Sequence, residues 1–204
     1  MESIDHLLGK VHNCDCLDFM RQLPDKCVDL ILTDPPYGIG IDGQKESICL
    51  NPKHNRKAHE FMGWDNSIPP REIFEQIFRI SKMQVIWGGN YFSEYLINEK
   101  KGWMIWDKGQ RGLTMSDCEI AFSSSDKPTR IFTLNRACLI SQNTQHPTQK
   151  PEELFRWCLL ERSGKDDTVF DPFMGSGTTA VACERLGRKW FGCELEPKYV
   201  AIAN

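Results

Sequence analysis

Residues 168–197, "TVFDPFMGSGTTAVACERLGRKWFGCELEP", restrict the possible fold more than any other stretch. "TVFD" is a short apolar run ending in an acid, two glycines turn the chain, and "TTAVACERLG" is patterned as a helix closed by Gly187. "KWFGCE" is then a second apolar strand, and it too ends in an acid. Strand, helix and strand in this order make a βαβ unit, which belongs to a parallel sheet. The alternation recurs upstream. "VHNCDCLDFMRQL" reads as strand, turn and helix, followed by the strand "CVDLILT". "PPREIFEQIFRIS" sets Ile73, Phe74, Ile77 and Phe78 at helical spacing behind two prolines. "QVIWGG", "GWMIWD", "CEIAFS" and "TRIFTL" are candidate strands, "PEELFRWCLLERS" opens like a helix, and "PKYVAIA" starts a last one. The expected class is α/β with a mostly parallel sheet, and 204 residues suit one domain with a real core.

Ligands in such sheets collect at the carboxyl ends of the strands. Two strand ends here are unusual. In "FDPFMGSGTT" an acid, a glycine pair and a helix start follow one another, so the backbone can turn tightly and offer free N–H groups to a ligand. No Gly-Lys-Ser/Thr follows, which excludes a P-loop. Glu194 ends the next strand 19 residues after Gly175, the spacing at which an acid grips the two hydroxyls of a ribose. A third glycine is missing, so a single adenosine-bearing cofactor suits the loop better than a dinucleotide. The bland alternative is a structural glycine turn with Glu194 as a helix-capping acid.

The other strand end is "ILTDPPYGIG", residues 31–40. Its two prolines fix the backbone so that the Asp34 carboxylate and the Pro35 carbonyl point the same way. Two adjacent acceptors suit a planar group carrying two N–H donors, such as an exocyclic amine. That amine is a poor nucleophile because its lone pair is delocalised into the ring. Donating both of its hydrogens in hydrogen bonds, one of them to a charged acceptor, favours a pyramidal and nucleophilic nitrogen in the transition state. Tyr37 adds a face for the base, worth ~1–3 kcal/mol.

"TDPPYG", "HPTQKP", "FDPFMGSGTT" and "GCELEPKY" together resemble the S-adenosylmethionine-dependent amino-methyltransferases of DNA. Their order, with the catalytic motif first and the glycine motif last, resembles the β group of that family, and the similarity spans essentially the whole chain. The resemblance implies a Rossmann-like methyltransferase fold, a seven-stranded mostly parallel sheet with one antiparallel edge strand. It implies that Asp34, Pro35, Pro36 and Tyr37 form the catalytic motif. Asp171, Phe173, Gly175, Ser176, Gly177 and Thr178 would hold the methionine end of S-adenosylmethionine, Glu194 its ribose and Asp15 its adenine side. Thr148 and Lys150, in "HPTQKP", would pack over the methionine moiety. One domain over residues 1–204 would divide into a catalytic half (about 1–106), a small recognition region (about 107–145) and a cofactor half (about 146–204). In this family an Asp at the first motif position goes mainly with adenine and a Ser mainly with cytosine, so the implied product is N6-methyladenine. The chain stops at Asn204, where the family usually continues through a fuller helix, and the stretch between "DKG" and "HPTQKP" is short.

Double-stranded DNA is the implied substrate. The net charge of −3 does not announce it, but charge is unevenly spread. Residues 127–150 hold Lys127, Arg130, Arg136 and Lys150 and no acid, and the loop after the catalytic motif holds Lys53, Arg56 and Lys57. With Lys108 and Arg111 in "WDKGQRGLT", these are the candidate phosphate contacts, and a solvated surface is their bland alternative. Trp87, Trp103, Trp106 and Trp157 lie in apolar patterns and are expected in the core. Nine cysteines without C-x-x-C spacing, and scattered histidines, argue for free thiols and no metal site. Nothing approaches a membrane span, so a cytoplasmic protein is expected. The competing functions are cytosine-N4 or RNA amine methylation, a non-catalytic nucleic-acid-binding subunit, and a cofactor-binding domain acting on a small-molecule or protein amine. A monomer or homodimer, and a restriction endonuclease partner, stay open.

Overall fold

"VDLILT" has apolar side chains on both faces of an extended chain, so it is stable only where both faces are covered. In the computed structural model it is β2 (Val28–Thr33), central in an eight-stranded sheet. The structure describes residues 3–40, 65–96, 102–112, 116–135 and 150–204. After a single 3-10 turn at Asp5–Leu7 come β1 (Val11–Asn13), α1 (Cys16–Arg21) and β2. Then follow α2 (Arg71–Ile80), β3 (Ser81–Trp87), β4 (Met104–Asp107), β5 (Cys118–Ser123) and β6 (Arg130–Thr133). The chain closes with α3 (Glu152–Arg162), β7 (Thr168–Asp171), α4 (Thr178–Arg185), β8 (Lys189–Glu194) and α5 (Pro197–Ala203).

The strand order is β1-β8-β7-β2-β3-β5-β4-β6. The sheet has eight strands where the resemblance implied seven, because "TRIFTL" adds β6 beside β4 in parallel register. The antiparallel strand is β5, which pairs with β3 and β4 and is therefore internal instead of lying at the edge. Alternate residues feed two cores, one on each face. Leu30, Leu32, Val85, Trp87 and Val169 pack with α3 and α4, whereas Val28, Ile31, Ile86 and Phe170 pack with α1 and α2. Helix α2 turns Ile73, Phe74, Ile77 and Ile80 inward, as its spacing requires. Trp87 and Trp106 are buried, and Trp103 and Trp157 pack half-buried against the two cores.

What matters for the site is the junction of β2 and β7. From β7 the chain crosses by α4 to β8 on one side, and from β2 by α2 to β3 on the other. The strand order reverses between them, which is where an open α/β sheet leaves a crevice. Both unusual strand ends therefore open onto one place.

Candidate active site

The two ends are joined by a hydrogen bond. Thr33, the last residue of β2, donates its hydroxyl to Asp171 Oδ1 at 2.6 Å, with Asp171 closing β7. Around this bond lies a cleft of about 1050 Å³ lined by both motifs.

On the β7 side, Asp171 is buried and organises the loop. Oδ1 also accepts from the Phe173 N–H at 3.0 Å, and Oδ2 accepts from the Thr179 hydroxyl. Burial pushes this carboxyl up to about 6 despite those donors. Both oxygens are thus engaged by the framework, so Asp171 serves a ligand by shaping the loop. Gly175 has φ +54 and nothing within 4 Å of where a Cβ would stand, so its backbone faces open space. Gly177, at φ +94, directs its missing Cβ at Ala203 of α5, and it is glycine for that close approach and that conformation. Phe173, Ser176, Thr178, Asp15 and Glu194 line the cleft. Glu194 accepts from the Gly175 N–H at 2.8 Å through one oxygen and from the Glu196 N–H at 2.8 Å through the other. Burial raises its carboxyl above the usual range. Asp15 caps α1, its Oδ1 accepting from the Leu17 and Asp18 N–H groups. An acid at the β8 end, a glycine backbone facing open space and a helix N-terminus beside it fit an adenosine bearing a charged amino-acid end.

On the β2 side the geometry differs from the expectation for two lysines. Lys150 does not reach toward the glycine loop. Its Nζ donates to Asp34 Oδ2 at 2.6 Å and to the Tyr37 hydroxyl at 3.1 Å, and lies 3.1 Å from Glu119 Oε2. The physical reason is charge: an ammonium this buried settles between carboxylates, which hold it well above the usual lysine range. Lys108, expected on a DNA-facing loop, is also buried and pairs with Glu119 Oε1 at 2.7 Å. Glu119 was not singled out in the sequence. Flanked by two lysines, its carboxyl falls to about 2. A sequence signal existed in the alternation of "CEIAFS", which puts Glu119 and Ala121 on the same face of β5.

Tyr37 donates its hydroxyl to Asp34 Oδ1. Burial raises both groups above their ordinary ranges, with the Glu119 charge adding to it at Asp34 and the Asp34 charge adding to it at Tyr37, which is raised strongly. Its ring lies over Gly88, where a Cβ would come within 2.3 Å. It also stacks on Tyr91, with centroids 4.8 Å apart and planes 13° from parallel. One face of Tyr37 is therefore already stacked by Tyr91, a residue sequence reasoning passed over. Pro35 and Pro36 line the cleft beside Asp34. Beyond it, Gly38 N–H donates to Asp65 Oδ1 at 2.7 Å and Gly40 N–H to the Asp65 carbonyl at 3.3 Å.

Among the expected DNA contacts, Arg111 is exposed and paired with Asp107, Lys127 donates to the Glu161 carbonyl, and Arg130 is exposed 4.0 Å from Glu161. Lys53, Arg56, Lys57, Arg136 and Thr148 lie outside the described residues. Among the described residues no cluster could hold a metal, seven cysteines are free, and no helix is long and apolar enough to cross a membrane.

Residues 54–204 match a family described as DNA methylase, N6_N4_Mtase. The type II methyltransferase M1.MboII of Moraxella bovis is 23% identical, the alignment covering 97% of this chain and 95% of the relative. M.HinfI of Haemophilus influenzae is 26% identical over 100% of this chain and 69% of its own length. Among solved structures, the M1.HpyAVI–SAM complex shares the fold with a TM-score of 0.62, at 24% identity over 95% of this chain and 97% of that one. The cytosine-N4-specific PvuII DNA methyltransferase shares it at 0.59, with 18% identity over 96% and 88%. Because the family match takes in well over half of the residues, the chain belongs to the N6/N4 DNA methylase family, the S-adenosylmethionine-dependent amino-methyltransferases of DNA.

Proposed function

We propose that this enzyme methylates the N6 amine of adenine within a short DNA sequence, with the target base flipped out of the duplex into the cleft. The observation that carries this is the shared cleft: Asp34 stands at the β2 end with the glycine loop at the neighbouring β7 end, tied by Thr33 and Asp171. The cofactor supplies an electrophilic methyl on a sulfonium. Gly175, Ser176 and Thr178 would receive its amino-acid end, Glu194 its ribose, and Asp15 the adenine side. Asp34 would accept one N–H of the target amine while the Pro35 carbonyl accepts the other, so that nitrogen develops a usable lone pair. As nitrogen bonds to the methyl, the sulfur–carbon pair returns to sulfur, and the amine proton, now acidic, leaves to Asp34 or to water. Asp34 need not be a strong base for that step.

The choice of adenine over cytosine rests on Asp34 standing where cytosine enzymes of the family mainly carry Ser. A duplex hides the amine inside the stack, so the base has to be extruded, and Tyr37 would stack on it. Lys127, Arg130 and Arg111, with Lys53, Arg56, Lys57 and Arg136, would neutralise phosphates, and Thr148 would close over the cofactor beside Lys150. Within a single domain the catalytic half (about 1–106), the recognition region (about 107–145) and the cofactor half (about 146–204) would act together. A monomer or homodimer would suffice for the chemistry, and a restriction endonuclease would be a separate partner.

The test is incubation with labelled S-adenosylmethionine and unmethylated duplex DNA, followed by nucleoside mass spectrometry, with Asp34→Ala in parallel. Methyladenine that vanishes in the variant is expected. Methylcytosine would keep the mechanism and overturn the base, and no transfer to DNA would move the search to RNA.

A further inference from the structure

Behind the catalytic carboxylate runs a row of buried charges that methyl transfer as described does not use. Lys108, just after β4, is 2.7 Å from Glu119 Oε1, and Lys150, just before α3, is 3.1 Å from Glu119 Oε2 and 2.6 Å from Asp34 Oδ2. Two ammoniums and two carboxylates alternate, so the row is neutral as a whole. Both lysine side chains are only 7% exposed. Glu119 Oε2 is buried and has no hydrogen bond of sound geometry, although the Lys150 ammonium is within reach. A buried carboxylate oxygen without an aligned donor is costly, and the nearest donor is committed to Asp34.

The Lys150–Asp34 bond competes with the substrate. Asp34 Oδ2 accepts from Lys150 and Oδ1 from the Tyr37 hydroxyl, so a target amine competes with both for the carboxylate. Where the amine takes Oδ2, Lys150 has to yield it without leaving the cleft, because a buried ammonium with no partner is strongly unfavourable. We propose that Glu119 is a positioning residue, the alternative partner onto which Lys150 turns when the target amine takes its place at Asp34. The distances make the exchange small: a rotation at the end of the lysine chain trades one carboxylate for another 3.1 Å away. Lys108 anchors the far oxygen of Glu119, so the acceptor stays in place, and the charge of the row is unchanged throughout. The Trp106 ring, 5.3 Å from the Lys108 ammonium, walls this end of the row.

The inference rests on the amine-methylation reading, and its test separates the two. Glu119→Gln keeps the volume and an oxygen for Lys108 but removes the charge that receives Lys150. The groups facing Asp34 are Tyr37 on its own loop, Lys150, Glu119 and, from β7, Asp171. Glu119 raises the Asp34 carboxyl, and neutralising it also leaves Lys150 wholly to Asp34. Both effects lower it, so the acid limb of kcat/KM moves to lower pH. The expected result is a kcat about 10- to 100-fold lower, with the dissociation constant for S-adenosylmethionine within about twofold. A kcat within about twofold of wild type, or a loss with the acid limb unmoved, overturns the proposal. Should Glu119→Gln fail to fold, Glu119→Asp keeps the charge and withdraws it by one methylene. An intermediate loss of kcat is then expected, and full activity overturns the idea. If the wild-type enzyme transfers no methyl to a base amine, the functional reading fails and this inference falls with it.

Discussion

The two acids that close β2 and β7 differ in what occupies their oxygens. Asp171 has hydroxyls from Thr33 and Thr179 and one loop N–H, all parts of the framework, and is 2% exposed. Asp34 has a lysine and a tyrosine hydroxyl, both lining the cleft, and its side chain is 20% exposed. A carboxylate held by a loop N–H and by hydroxyls of a strand and a helix cannot change partners without undoing the loop. One held by cleft side chains can. The difference separates the acid that builds the cofactor site from the acid placed to meet a substrate, although both follow apolar runs in the sequence.

The sharpest way to break this comparison is Asp34→Asn. It keeps the shape of the β2 end and removes the charged acceptor. Methyl transfer should fall about 10³-fold, as when a preorganised electrostatic group is lost. Cofactor affinity, read by equilibrium binding of labelled S-adenosylmethionine, should stay within about twofold. Loss of cofactor binding would show that the two strand ends are not separable.

Asp171→Asn should do the reverse. An amide donor would face two threonine hydroxyls, so the loop should loosen, with a stability loss of about 2–3 kcal/mol in a thermal melt and weakened cofactor binding. The pH dependence gives a finer reading of the same site. Burial raises the Asp171 carboxyl to about 6 in the folded protein. A raised carboxyl contributes stability that is fully present below the ordinary aspartate range and is lost as pH rises through about 6. Asparagine has no such term. The stability gap between wild type and variant should therefore narrow by about 1 kcal/mol from about pH 5 to about pH 7.5. A gap independent of pH would mean that Asp171 is ionised throughout and that its donors outweigh its burial.

Much of the framework was legible because it depends on local pattern. Apolar runs bounded by glycine, proline and acids marked all eight strands, and "TRIFTL" was among them. The count of seven came from family likeness, and the residues themselves were the better guide. The internal place of β5 was hidden, since pairing order depends on contacts between distant segments that no window of sequence contains. The glycine loop was legible for the same reason as the strands: positive φ at Gly175 and Gly177 is a local demand. The row from Lys108 to Asp34 was not, since its four members sit 11 to 74 residues apart in pairwise order along the chain. Lys108 read as a surface cation because a lysine is usually one, and Lys150 as a residue packed over the cofactor. Their burial follows from Glu119, which only the β4–β5 pairing brings between them.

Tyr91 offers the smallest and most discriminating test. The residue is 41% exposed and its ring stacks on one face of Tyr37. Ring centroids 4.8 Å apart leave no room for a base between them, so a flipped adenine that takes this face of Tyr37 has to replace Tyr91. The exchange trades one stack for another, and base stacking worth ~1–3 kcal/mol is then partly offset by the tyrosine contact that is lost. Tyr91→Ala removes the competitor. KM for DNA should drop about three- to tenfold, with cofactor affinity unchanged because Tyr91 follows β3 and the glycine loop follows β7. A rise in KM would instead make Tyr91 a second wall that moves aside and closes on the base. The β2 end would then capture its substrate between two aromatic rings.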